Sequence, residues 1–123
     1  MAAKEAKLTM FVGRGELTAD ELLVAYSHFL ATGASRLTLW DLSAATLNQF
    51  DGQGIRRMAR TVAQAAKGRR PFGKVAIVCG RPADFGKARM LGTYLSVEGH
   101  PVRFEVFTDL DSAKAWLTGE HHA

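Results

Sequence analysis

An α/β sandwich with a largely parallel or mixed sheet of four or five strands and about four helices is the fold class this sequence predicts. Three observations predict it. Short apolar runs alternate with longer stretches of helical spacing along the whole chain. Capping residues and glycines fall at the joins between them. Leu37, Leu39 and Trp40 form a run closing on Asp41 that reads as a central, doubly covered strand.

The stretch LTLWDLSAATLNQFDGQGIRRMAR, from Leu37 to Arg60, organises the rest: a buried strand, a polar-ended crossover and the start of the most cationic helix. Before it, Lys7 to Val12 predicts a first strand that ends at the turn Gly13-Arg14-Gly15. Thr18 and Glu21 then form a capping box for a helix from Ala19, with Leu22, Leu23, Tyr26, Phe29 and Leu30 as its apolar stripe and Gly33 as its stop. The second strand is expected to finish at Asp41, leaving a ten-residue connection to Asp51. Asp51 is the expected N-cap of a helix that turns Ile55, Met58, Ala59, Val62 and Ala66 inward and stops at Gly68.

Val75 to Cys79 predicts a buried strand, broken by Gly80-Arg81-Pro82-Ala83. Asp84 is the expected cap of a third helix carrying Phe85, Ala88, Leu91 and Leu95 on one side, with Gly99 at its end. Gly86 and Gly92 are expected to permit close approach of another backbone or a ligand. Met90, Tyr94 and Val97 widen the apolar arc of this helix, offering part of it to a second subunit in a homodimer or to the roof of a ligand pocket. Val102 to Phe107 alternates apolar and charged residues as a strand with one wetter face does. Thr108 or Asp109 then caps a last helix with Leu110, Ala113, Trp116 and Leu117 buried, followed by a frayed tail from Glu120.

One domain is expected over residues 1–123, with its core at about 7–118. Hydrophobic content of 47% with 23% charged residues is globular composition. The single Cys79 excludes an internal disulfide, and Met1 to Lys7 does not read as a secretory leader, so a cytoplasmic setting is expected. No apolar run approaches the roughly 20 residues of a membrane span.

The net charge of +4 is unevenly placed. Residues 52–83 hold Arg56, Arg57, Arg60, Lys67, Arg69, Arg70, Lys74 and Arg81 and no acid, a local +8 that leaves −4 for the rest. Either a solvated helix face or an anionic partner accounts for this. The candidate anion site is the helix start at Gly52 and Gly54, with free N–H groups and a positive dipole end. Arg56 and Arg57 follow one turn on, Arg81 and Arg89 reach the same edge from neighbouring elements, and Asp41 and Ser43 stand at the strand end. Against it, the Asp51 carboxylate itself can occupy that helix end. Nucleic acid is a weak alternative, because no aromatic side chains interleave the basic ones.

Catalytic motifs fail on spacing. After Cys79, a thiol phosphatase loop requires arginine at 85, where Phe85 stands. Gly13-Arg14-Gly15 and Gly52-Gln53-Gly54 lack both the third glycine of a dinucleotide fingerprint and the lysine of a phosphate loop. His28 has no second ligand at helical spacing, and His121-His122 lies in the tail, so neither a metal site, a cofactor nor an enzyme is expected.

LWDLSAATLNQFDGQGIRRM, DFGKARM and VFTDLDSAKAWL together make the chain resemble the bacterial STAS-like (SpoIIAA-like) family, over roughly residues 7–118. The resemblance implies the architecture of anti-sigma-factor antagonists and lipid-binding Sec14-type domains. It also implies a non-catalytic regulatory or protein-interaction module, with a carrier of a small anionic or amphipathic ligand as the alternative. In antagonists of this kind an Asp-Ser-Ser/Thr-Gly-like motif opens the helix after the central strand and is phosphorylated on a hydroxyl. Asp51-Gly52-Gln53-Gly54 keeps the aspartate and the last glycine without a hydroxyl, so the switch is expected to be absent; Ser43 and Thr46 are the alternative hydroxyls.

Overall fold

The computed structural model describes residues 8–31, 36–67, 73–100 and 102–119. Its elements run β1 (Leu8–Glu16), α1 (Ala19–Ala31), β2 (Leu37–Thr46), α2 (Gly52–Ala65), β3 (Lys74–Cys79), α3 (Pro82–Val97), β4 (Arg103–Phe107) and α4 (Leu110–Thr118). The four strands form one sheet in the order β1-β2-β3-β4, and every neighbouring pair is parallel, which resolves the mixed alternative. The stops assigned to Gly33 and Gly68, residues Arg69 and Arg70, and the tail from Glu120 lie outside the described residues.

Consecutive parallel strands joined by crossovers of one hand put α1, α2 and α3 on the same face of the sheet. Their core joins Leu42, Leu47, Ile55, Met58, Ile77 and Ala88. α4, which follows the last strand, covers the opposite face, packing Ala113 and Leu117 on Leu37, Leu39, Ala76 and Val78. It reaches β2, β3 and β4, and Leu8, Met10 and Val12 of the edge strand stay exposed on that face. No helix of the described residues is long and apolar enough to cross a membrane.

Local signals account for most boundaries. The capping box forms as written, the Thr18 N–H donating to Glu21 Oε1 at 2.9 Å and the Glu21 N–H to Thr18 Oγ1 at 3.2 Å. Asp51 caps α2 through Gly54 N–H at 2.7 Å, and Asp109, not Thr108, caps α4 through Ser112 N–H at 3.3 Å.

Three boundaries differ from the sequence expectation. β1 runs through Gly13-Arg14-Gly15 to Glu16, and β2 runs past Asp41 to Thr46, because each supplies the other with a partner there. At Asp41 the register slips: Val12 opposes Asp41 but Arg14 opposes Ala44, so β2 carries an extra residue. Asp41 accepts the Ser43 N–H at 3.1 Å and the Ser43 hydroxyl at 2.6 Å across this bulge. A Cβ on Gly13 would stand 2.8 Å from Leu42 Cδ2, so glycine there admits the Leu42 side chain to the core. The ten-residue connection is thereby cut to the segment between Thr46 and Gly52.

The third difference is at α3, whose N-cap is Arg81 with Pro82 in the first turn, not Asp84. Proline is suited to a helix start, where its missing N–H has no partner to lose. Asp84 thus sits inside the first turn and turns its carboxylate to other work. Of the two helix glycines, Gly92 meets a close neighbour, the Phe104 ring of β4, whereas Gly86 faces open space.

Candidate functional site

Side chains from α1, α2, α3 and the sheet face beneath them line an apolar cavity of about 110 Å³. Trp40 and Leu42 line it from β2, Met58 from α2, Leu91 from α3 and Phe104 from β4. It exists because the helices rest on large side chains; Trp40, for instance, is stacked against Phe11 of β1 at 4.2 Å between ring centroids. A lining so largely apolar favours an apolar occupant.

One end, where Leu47 and Lys87 line the wall, abuts a polar clamp. Asp84 is 1% exposed, and its carboxylate accepts Leu47 N–H at 2.9 Å and the Arg81 guanidinium at 2.7 and 2.9 Å. Hydrogen bonding from Arg81, above all, holds the Asp84 carboxyl below its ordinary range, against the cost of burial. Arg81 also donates to Asn48 Oδ1 at 2.8 Å, and Lys87 Nζ donates to the Leu47 carbonyl at 2.9 Å. The β2–α2 connection is therefore tied to α3 on both its amide and its carbonyl side.

The other end carries His100. α3 finishes in a Schellman arrangement: Gly99, at φ +80°, donates to Ser96 O, and His100 N–H donates to Leu95 O, both at 3.0 Å. This folds the imidazole back on the last apolar turn of the helix, where both ring nitrogens are buried without a hydrogen-bond partner. Burial lowers the His100 pKa, so the neutral ring is favoured.

That direction has a measurable consequence. With the folded pKa below the ordinary value near 6.5, the unfolded chain takes up the proton first, so stability from His100 is complete above that value and lost as pH falls through it. Urea unfolding of the wild type is expected to lose stability below about pH 6.5, by at most about 1.4 kcal/mol per pH unit for one proton. His100→Leu is expected to flatten that slope; an unchanged slope would assign it to other groups.

The structure does not gather the sequence-derived site residues at one point. Asp41 and Ser43 lie at the β2 bulge, bonded to each other. Gly52, Gly54, Arg56 and Arg57 head α2, but Asp51 takes the Gly54 N–H that an anion would use. Arg56 lies over the Tyr94 ring at 5.6 Å, Arg81 is held by Asp84, and Arg89 lines a separate groove between α3 and β4. Much of the expected basic patch is likewise engaged: Arg60 faces Glu98 at 3.7 Å, and Lys74 Nζ donates to Trp116 O at 2.8 Å. Arg57 and Lys67 are exposed, as are Met90 and Val97 of the wide arc on α3, while Tyr94 is half-buried.

Cys79 ends β3 at 1% exposure, and burial, with the Asp84 carboxylate adding to it, pushes its thiol up to about 11. It is a protonated core side chain at neutral pH, not a nucleophile. The Thr46 hydroxyl is buried without a partner, and Ser43 is exposed. Among the described residues no three His, Cys, Asp or Glu side chains gather where they would hold a metal ion.

Sequence reasoning passed over His100. The available signal was its place directly after Gly99, the position whose side chain packs on the last turn of a glycine-terminated helix. Compared with protein-family models, with curated proteins and with solved structures, the chain matches none.

Proposed function

We propose that this chain is a non-catalytic, ligand-binding module of STAS-like type whose ligand is a small, largely apolar molecule held between the sheet and α1, α2 and α3. Of the roles expected from sequence, regulatory module and carrier, this reading takes the occupant from the second and leaves a signalling partner to the first. The observation that carries it is the apolar cavity of about 110 Å³. Its walls offer an apolar ligand the burial that water cannot use, at about 25 cal/mol per Å² of apolar surface. An ionised ligand would lose its hydration against the same walls, which disfavours the anionic half of the expectation.

Titration with toluene, followed by amide NMR and thermal unfolding, tests the reading. The expected result is a raised midpoint with shifts confined to lining residues such as Leu42, Met58 and Leu91. Ala88→Leu, which adds bulk at a 2% exposed lining position, is expected to abolish the response while keeping the fold. No response of the wild type up to the solubility of toluene would overturn it.

A further inference from the structure

We propose that His100 is the recognition group of this cavity, pairing its imidazole with the hydroxyl of a neutral ligand about one ring in size. The proposal rests on the cavity being a ligand site, and it adds what kind of molecule the site selects.

Five side chains of the cavity lining carry nitrogen or oxygen: Tyr26, Thr38, Trp40, Lys87 and His100. The Lys87 ammonium is already bonded to the Leu47 carbonyl. Of the five, only His100 carries buried polar atoms without a partner, its two ring nitrogens; neither is open to a water-sized molecule as the ring stands, so pairing requires the imidazole to turn toward the cavity. Native proteins rarely leave such groups unpaired, since a buried, unpaired donor or acceptor is costly. The backbone on either side gives the ring little freedom to escape: His100 N–H is bonded to Leu95 O, and His100 O accepts Val102 N–H, each at 3.0 Å.

Charge and size narrow the ligand. Burial favours the neutral ring, which has one donor and one acceptor, so it matches a hydroxyl, which both donates and accepts. A cavity of about 110 Å³ is smaller than the ~150 Å³ that accommodates benzene in an apolar core, so one ring or its equivalent, with slight expansion, is the limit. A phenol or a short, compact alcohol fits both conditions; a fatty acid fits neither.

Access is built into the same place. Leu95, His100, Val102 and Phe104 line both the cavity and the surface groove between α3 and β4, so His100 belongs to the wall that separates the ligand from solvent.

Phenol and toluene, matched in size and differing in the hydroxyl, test the assignment by calorimetric or NMR titration, with benzoate as the anionic probe. Wild type is expected to bind phenol about tenfold more tightly than toluene, the scale of one paired buried polar group. In His100→Leu toluene binding is expected to persist and the preference for phenol to vanish. Long-range proton–nitrogen spectra of wild-type His100 supply a readout independent of any variant's folding, with both ring-nitrogen shifts moving on phenol addition and not on toluene. Equal affinity of wild type for the two probes, a preference that survives in His100→Leu, or tighter binding of benzoate overturns the role of His100 and leaves the cavity reading standing. Failure of every probe to bind overturns both.

Discussion

Replacing Asp84 with alanine is expected to lower the unfolding free energy by about 3 kcal/mol, the low end of the cost of breaking a buried ion pair. The low end applies because Arg81 keeps 45% of its side chain in solvent and is rehydrated when its partner goes. What cannot be rehydrated so easily is the Leu47 N–H, which loses the Asp84 acceptor 37 residues away in the chain. Asp84→Asn retains an acceptor for that N–H but not the charge-assisted bonds to Arg81, so about half of the loss is expected to return. Chemical denaturation of the two variants checks this order; equal losses would mean that the charge, and not the amide, is what Asp84 serves. The stabilising share tied to ionisation is present above the ordinary carboxylate range and lost as pH falls toward the lowered folded value. Because Leu47 lines the cavity, Asp84→Ala is also expected to broaden the amide signals of the connection from Leu47 to Asp51.

Leu39→Ala is expected to cost a similar amount, about 3 kcal/mol, by a different route. Leu39 is fully buried in the core between the sheet and α4, on the face opposite the cavity. Removing three of its side-chain carbons opens a void that Ala76, Val78 and Leu117 cannot fill without moving. The variant therefore separates stability from ligand binding: toluene and phenol affinities, measured well below its unfolding midpoint, are expected to match wild type. A weakened affinity would show that the two faces of the sheet are coupled.

The local features were legible because their determinants lie within a few residues of each other. Thr18 and Glu21, Asp51 and Gly54, and Asp109 and Ser112 each complete a helix start inside one turn. The alternation of strand and helix, and the apolar stripes that set Met58 and Ala88 against one sheet face, likewise follow from spacing alone. Asp84 misled for an instructive reason: its type suits an N-cap, but Pro82 starts the helix earlier and its real partners include Leu47, far off in sequence.

The sequence by itself determined the α/β class, the succession of four strands and four helices, and the apolar stripes by which the helices pack; it left the sheet parallel or mixed, and Leu42, Ala45, Leu47 and Phe50 in a connection rather than in the core. Tertiary structure alone decided the rest, because pairing between distant segments has no local signature. It carried β2 through the bulge at Asp41 by laying β1 beside it. It gave several side chains of the basic patch partners within the chain, Lys74 with Trp116, Arg60 with Glu98 and Arg81 with Asp84, while Arg60 and Arg81 remain exposed. And it left an apolar space under three helices with the unpaired nitrogens of His100 at its wall, since the fit of large side chains across a sheet depends on volumes brought together from every element.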